Sequence, residues 1–337
     1  MPNALTNSYR FPAEWEPHSA VWLAWPYDKI TFGTLNQKDN KMDGERLARV
    51  EKEFMKIIDA LKESEQVNLI VRDKAEHSDI LKNVRMFETD YADVWTRDYI
   101  PTFAKSANGK LVAVKWNYNA YGEKFAGLIK DNHVWGKINT ELNINTVEPK
   151  IVLESGAIET NGNGVLLTTE QCLLKRNPHL GKEDYEKVFA KFLGITKVIW
   201  LRGGLVNDHT DGHIDDIAKF VAPNKILCAY EDNTEDENYE ILKNNFETLE
   251  RENFELIKLP MPHMSYDDGK KAPASYANFY IGNSVVLVPT YNDPNDEKAL
   301  KIIQSCFPNR KVIGINCKDL IYGGGAIHCM TQQQPAI

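Results

Sequence analysis

The sequence predicts a mixed α/β fold assembled from a repeated ββαβ-like unit. Two observations carry this. Short apolar strand pairs alternate with single amphipathic helices, and the alternation recurs roughly every 60–70 residues, the spacing of a repeated supersecondary unit. A third observation sets the domain organisation. No Pro/Gly/Ser-rich linker or low-complexity run interrupts the chain, so residues 1–337 read as one domain. The units show no visible repeat of primary sequence.

Each element has its own reason. Over 44–63, Leu47, Val50, Phe54, Ile57, Ile58 and Leu61 recur at three- and four-residue steps and predict a helix. VNLIVRD (67–73) reads as a short buried strand. In PTFAKSANGKLVAVKWNY, Asn108-Gly109 marks a hairpin turn. IVLESGAIETNGNGVLLTTEQCLL (151–174) reads as strand–turn–strand with Gly162 and Gly164 in the turn. Residues 181–193 predict a helix and 196–201 a strand. IDDIAKFVAPNKILCAYE (214–231) predicts a hairpin through Pro223-Asn224. A charged amphipathic helix at 236–252, strands at 254–259 and 284–289, a helix at 295–305 and a strand at 311–316 complete the pattern. The long polar stretch 260–276 reads as a lid over a site or as plain surface.

Composition narrows the function. The chain is 42% hydrophobic and 26% charged, with a formal net charge of −8, so it can bury a large core. An acidic surface repels phosphates and argues against nucleic acid; a small cation would be attracted. Five cysteines without a CxxC suggest neither a disulfide framework nor a zinc ribbon, and read as reduced, cytoplasmic thiols. The N-terminal stretch lacks a basic start followed by an apolar run, so it does not read as a signal peptide. The longest apolar runs, such as SVVLVP (284–289), are too short to span a membrane.

Four stretches could carry chemistry. Cys329 follows Gly323-Gly324-Gly325, a run that permits positive φ and close backbone approach; the thiol is either presented to a cleft or packed as a small core residue. In HTDGHIDD (209–216), His213 and Asp215 would share one face if the segment were a strand. His209 and His213 are spaced for a metal, but Gly212 between them and the absence of an HExxH glutamate weigh against it; a solvated acidic loop is the plain alternative. In DVWTRDYIP (93–101), Trp95 beside Asp93, Arg97 and Asp98 could form a slot for a flat cation, or a surface ion pair beside a core tryptophan. Glu154 ends the apolar run Ile151-Val152-Leu153, where a carboxylate is costly unless it has a partner or turns to solvent.

Taken in order, FPAEWEPHSAVWLAWP (11–26), DVWTRDYIPTF, LESGAIETNGNGVLLTTEQCLL, GHID (212–215) and GGGAIHCMTQQQP resemble the agmatine deiminases. Those enzymes sit within a wider group that includes bacterial peptidyl-arginine deiminase-like proteins and, more distantly, arginine deiminases. The resemblance runs nearly end to end. It implies an α/β-propeller of pseudo-fivefold ββαβ units around a central site, a homo-oligomer such as a dimer, no metal and no organic cofactor. It implies a small cationic guanidino substrate, agmatine, converted to N-carbamoylputrescine on a route to putrescine, or else free or peptidyl arginine. A Cys–His amide hydrolase and a non-catalytic cation binder are the readings from other classes.

The resemblance also assigns roles. Cys329 is the nucleophile and His213 the proton shuttle, Glu154 holds His213, and Asp98 and Asp215 grip the guanidinium; the slot read from residues 93–101 would add Trp95 and Arg97 beside the substrate, with a core tryptophan as the equal alternative. His328, adjacent to Cys329, is expected on an extended strand and so to point away from it. The chain departs from the family pattern at Ser155, where glycine is more common, at Ala326, often asparagine, and at Tyr99-Ile100, where deiminases commonly read Thr-Gly. These departures bear on substrate choice.

Overall fold

The structure is a computed structural model that describes residues 9–32, 34–36, 41–77 and 83–337. Among them, one topology recurs in five sheets. In each, a strand pairs antiparallel with a central strand, a helical crossover follows, and the next strand pairs parallel to that central strand. Three sheets show it in its simplest form. Glu159–Thr160, Val165–Thr169 and Lys197–Leu201 make one; Ala218–Ala222, Lys225–Tyr230 and Glu255–Pro260 the next; Tyr280–Ile281, Val285–Thr290 and Lys311–Asn316 the third. Thr102–Ser106, Leu111–Val114 and Thr146–Val147 repeat it with Tyr9–Arg10 added at one edge. The last sheet joins the two ends of the chain: Gln332–Pro335 pairs with His18–Ala24, which runs parallel to Gln66–Val71 and, beyond it, Arg85–Glu88.

The helices form where apolar positions fall on one stripe. Glu45–Leu61 buries Leu47, Val50, Phe54, Ile57, Ile58 and Leu61, the set expected from spacing. Lys182–Leu193 buries Tyr185, Phe189 and Leu193 and stops at Gly194, whose φ of +70° ends the helix in a left-handed turn. A parallel pair needs such a crossover, and central strands such as Val285–Thr290, covered on both faces, are nearly all apolar.

Several expectations shift. The stretch 151–174 is not one hairpin: Ser155–Ala157 is a 3-10 turn, only Glu159–Thr160 and Val165–Thr169 are strands, and Glu170–Arg176 is a helix capped by the Thr169 side chain. The 214–231 hairpin starts at Ala218, because Ile214–Asp216 is a 3-10 turn. The segment 260–276 packs against the body through buried Met264, Ala272, Ala274 and Tyr276. Among the described residues no helix is long and apolar enough to cross a membrane.

Candidate active site

The site is built from one position used five times. Immediately before each antiparallel strand the chain turns, and each turn delivers side chains to a common centre. Asp98 precedes Thr102–Ser106, Glu154 precedes Glu159–Thr160, His213 and Asp215 precede Ala218–Ala222, Asn278 precedes Tyr280–Ile281, and Cys329 precedes Gln332–Pro335. All are buried.

Gly156 shows how tightly three of them meet. A Cβ added there would lie 2.6 Å from His213 Nδ1, 2.9 Å from Asp98 Oδ1 and 3.2 Å from Asp215 Oδ2. Only glycine leaves that point open. Its own N–H donates to Asp98 Oδ1 at 3.1 Å, and Tyr121 donates its hydroxyl proton to Asp98 Oδ2 at 2.9 Å.

The imidazole of His213 lies between acids. Nε2 is 3.5 Å from Glu154 Oε2 and Nδ1 is 4.0 Å from Asp98 Oδ1. Burial opposes its charge, but Asp98, Cys172 and Glu154 raise its pKa well above the ordinary value. Glu154 would also be raised by burial; its contact with His213 and the guanidinium of Arg176 bring it below the ordinary value instead. Arg176 Nε donates to both Glu154 oxygens, at 2.8 and 3.0 Å, while its other nitrogens donate to Asp211 Oδ2 and the Thr210 carbonyl. One buried guanidinium therefore fixes both Glu154 and the loop that carries His213.

Cys329 Sγ lies 3.8 Å from Asp215 Oδ2 and accepts from Asn278 Nδ2 at 3.2 Å. Burial pushes the thiol well above its ordinary pKa, and the negative charges of Asp215, Asp216 and Asp98 push it further. Burial, only partly offset by the charge of His213, raises Asp98 to about 7. This is a centre with too much negative charge and too few cations, which suits an incoming cation.

His328 departs from expectation. Residues 327–330 form a turn, not an extended strand, so the ring does not point away from the thiol's surroundings. Its Nδ1 is 2.8 Å from Asp215 Oδ2, the same oxygen that Cys329 approaches, and its Nε2 is 2.8 Å from Glu14 Oε2. Lys219, His328 and Arg97 hold Glu14 well below the usual carboxylate range against the penalty of its burial, and His328 likewise lowers Asp215 against burial. Two ionised carboxylates at this distance require an N–H on each ring nitrogen, although burial, Arg97 and Lys219 all pull the His328 pKa down. The contact geometry decides for the doubly protonated ring.

Arg97 is a second correction. It does not face the substrate position. Its guanidinium donates to Gln333 Oε1 (2.6 Å), the His328 carbonyl (3.2 Å) and Glu14 Oε2 (3.3 Å), and is buried there. Charge alone suggested a ligand contact; the fold uses Arg97 to brace the turn that carries Cys329. The pairing of His213 with Asp215 holds, but across a 3-10 turn and not along a strand face. His209 goes elsewhere: it sits at the rim, edge-on to Tyr121 and Phe125.

A cleft of about 540 Å³ adjoins this centre at Tyr121, whose hydroxyl contacts Asp98; it is lined by Asp93, Trp95, Tyr121, Phe125, His209, Tyr266 and Tyr322 with Gly323 and Gly324. The glycines answer to aromatic rings. A Cβ at Gly323 or Gly325 would strike Trp95, and one at Gly324, where φ is +93°, would strike the His209 ring. Trp95 thus lies on the glycine run beside Cys329. The stretch 260–276 supplies Tyr266 to the rim.

Sequence reasoning missed Asn278, Arg176 and Glu14. Asn278 sits in SYANFY, between the polar stretch 260–276 and the strand expected at 284–289, where no element or site is expected. Arg176 follows what looked like a strand, and Glu14 lies outside the stretches singled out for chemistry. Knowing that each antiparallel strand is preceded by a site turn would have found Asn278.

Residues 10–335 match the model of the Porphyromonas-type peptidyl-arginine deiminases; the chain belongs to that family. A solved C. jejuni agmatine deiminase with substrate bound is 31% identical, with 97% of this chain and 96% of that one covered at a TM-score of 0.88. The agmatine deiminase of Enterococcus faecalis is 30% identical over 97% and 96%, at 0.86. A curated Legionella pneumophila relative carrying a provisional agmatine deiminase name is 34% identical, over 99% of this chain and 97% of its own. The dimethylarginine-hydrolase fold of Pseudomonas aeruginosa DDAH is shared more distantly, at a TM-score of 0.52 and 12% identity.

Proposed function

We propose that the protein is a hydrolase of linear amidines that deiminates agmatine, with water, to N-carbamoylputrescine and ammonia. The observation that carries this reading is the convergence of His213, Asp98 and Asp215 beside Gly156, with Cys329 Sγ 3.8 Å from Asp215.

A guanidinium carbon is a poor electrophile, flat and delocalised, and must be fixed before sulfur can add. Asp98 and Asp215 grip its nitrogens by charge-assisted hydrogen bonds. The bound cation lowers the thiol pKa, and Cys329 as thiolate adds to the central carbon. His213 gives its proton to the departing nitrogen, and ammonia leaves. An amidino-thioether remains on Cys329. His213 then takes a proton from water, which attacks the same carbon; the thiolate departs and the ureido product forms. Glu154, held by Arg176, keeps His213 charged for the first step. Asn278 steadies the sulfur.

The cleft favours agmatine over arginine. Arginine adds an α-carboxylate that needs a cationic partner, and among the described residues lining the cleft none is lysine or arginine. The rim histidine, His209, is driven towards neutrality by burial. A panel of agmatine, arginine and an arginyl peptide, read by ammonia release, tests this; faster turnover of arginine would overturn it.

The same reading takes residues 1–337 as one catalytic domain in which the five sheets form a pseudo-fivefold α/β-propeller. It takes the chain as a cytoplasmic homodimer. The recurrent ββαβ topology supports the first, and sedimentation at several concentrations tests the second.

A further inference from the structure

We propose that Glu154, Cys172 and His213 form a binding site for Zn²⁺ or a similar borderline-soft divalent ion, and that occupancy of this site switches the enzyme off. The ligand atoms of the three residues, one carboxylate oxygen, one thiol sulfur and one imidazole nitrogen, all lie within 4.8 Å of one another. Zinc bonds of these types, at their usual lengths and tetrahedral angles, separate ligand atoms by about 3.3–3.6 Å. A contraction of about 1 Å closes the set.

Three further observations point the same way. Neither ring nitrogen of His213 makes a hydrogen bond of ordinary geometry, although the ring is fully buried: Nε2 stands 3.5 Å from Glu154 Oε2 and Nδ1 4.0 Å from Asp98 Oδ1. Cys172 has no part in the deimination chemistry, yet the first turn of helix Glu170–Arg176 places it against the catalytic imidazole, its own N–H capped by Thr169 Oγ1. The Glu154 carboxylate is already held from behind by Arg176 Nε, the outer contact that orients a metal-ligating carboxylate. Three protein ligands leave a fourth position for water.

The consequence is inhibition. A metal on the imidazole must displace its proton, so His213 can no longer protonate the leaving nitrogen, and Glu154 is withdrawn at the same time. This last step rests on the proposed deiminase chemistry; metal binding does not.

The experiment uses the whole chain, stripped with chelator, with two variants of Cys172 and one of Cys329. Cobalt(II) is the first probe, because a Co–thiolate bond gives near-ultraviolet charge-transfer absorption whether or not the enzyme turns over. The band is expected in the native chain and in Cys329→Ser, and is expected to be lost in both Cys172→Ala and Cys172→Ser. Zinc is the second probe: inhibition of agmatine turnover, reversed by chelator, should need at least about 10-fold more zinc in the Cys172 variants than in the native chain, each compared with its own metal-free rate. A band that vanishes in Cys329→Ser and persists in the Cys172 variants would place the metal on the nucleophile and overturn the proposal. So would a native chain that gives no band. If the cobalt pattern holds while agmatine is not turned over at all, the metal site stands and the deiminase reading fails.

Discussion

Cys329 Sγ and His328 Nδ1 approach the same atom, Asp215 Oδ2, at 3.8 and 2.8 Å. Asp215 therefore joins the clamp, the nucleophile and a buried charge chain that runs on through His328 to Glu14, where Arg97 and Lys219 also end. Removing one member of such a network leaves a buried charge exposed to low dielectric. His328→Asn should leave Asp215 without its counter-ion and raise its pKa. The expected result is a loss of agmatine affinity that recovers as pH rises, with the fold retained by circular dichroism; a pH-independent loss would contradict it.

Gly156→Ala tests the crowding at the centre. The new Cβ would fall 2.6 Å from His213 Nδ1 and 2.9 Å from Asp98 Oδ1, and catalytic geometry does not tolerate such a shift. A fall in kcat/KM of about 100-fold or more is expected, with a protein that still melts cooperatively. Near-normal kinetics would show that the three groups do not share the reaction point.

The pKa of Asp98 sets a pH dependence. Burial raises it from the ordinary 3.8 to about 7 in the folded chain. Its contribution to stability is therefore full below about pH 4 and is lost as pH rises through 7. Activity runs the other way, because only the carboxylate grips a cation. The acid limb of kcat/KM should have an apparent pKa near 7, and agmatine binding to Cys329→Ser at that pH should release protons, measured by calorimetry in buffers of different ionisation enthalpy.

Arg176→Met removes the cation from behind Glu154. Breaking one side of a buried pair costs about 3–5 kcal/mol, readable by urea denaturation. kcat should fall more than KM rises, since Glu154 acts on the charge of His213 and not on the substrate. Arg176→Lys should recover part of the stability but little of the rate, because an ammonium cannot reproduce the forked contacts to Glu154, Asp211 and Thr210.

Much of the architecture was legible because it is written in periodicity. The helix at Glu45–Leu61 and the strands Lys197–Leu201, Val285–Thr290 and Lys311–Asn316 fall within a residue or two of the ranges expected from apolar spacing. The antiparallel strands were harder. Glu159–Thr160 and Tyr280–Ile281 are two residues long and leave no pattern to read, and His18–Ala24 was seen only as part of a motif. The motifs that carry the resemblance contain Asp98, Glu154, His213, Asp215 and Cys329, and the structure places all five around one centre. Arg97 was misplaced because charge beside an aromatic says nothing of direction. Asn278 and Glu14 were invisible because their importance lies in partners distant in sequence.

Turnover rests on sulfur chemistry at one carbon. Mixing the native chain with agmatine, quenching in acid within the first turnover and mapping the peptides by mass spectrometry tests it most directly. An amidino adduct, agmatine less ammonia, is expected on the peptide that carries Cys329, and Cys329→Ala should lose at least about 10³-fold in turnover. An adduct on another residue, or a Cys329→Ala chain that releases ammonia at the native rate, would contradict it.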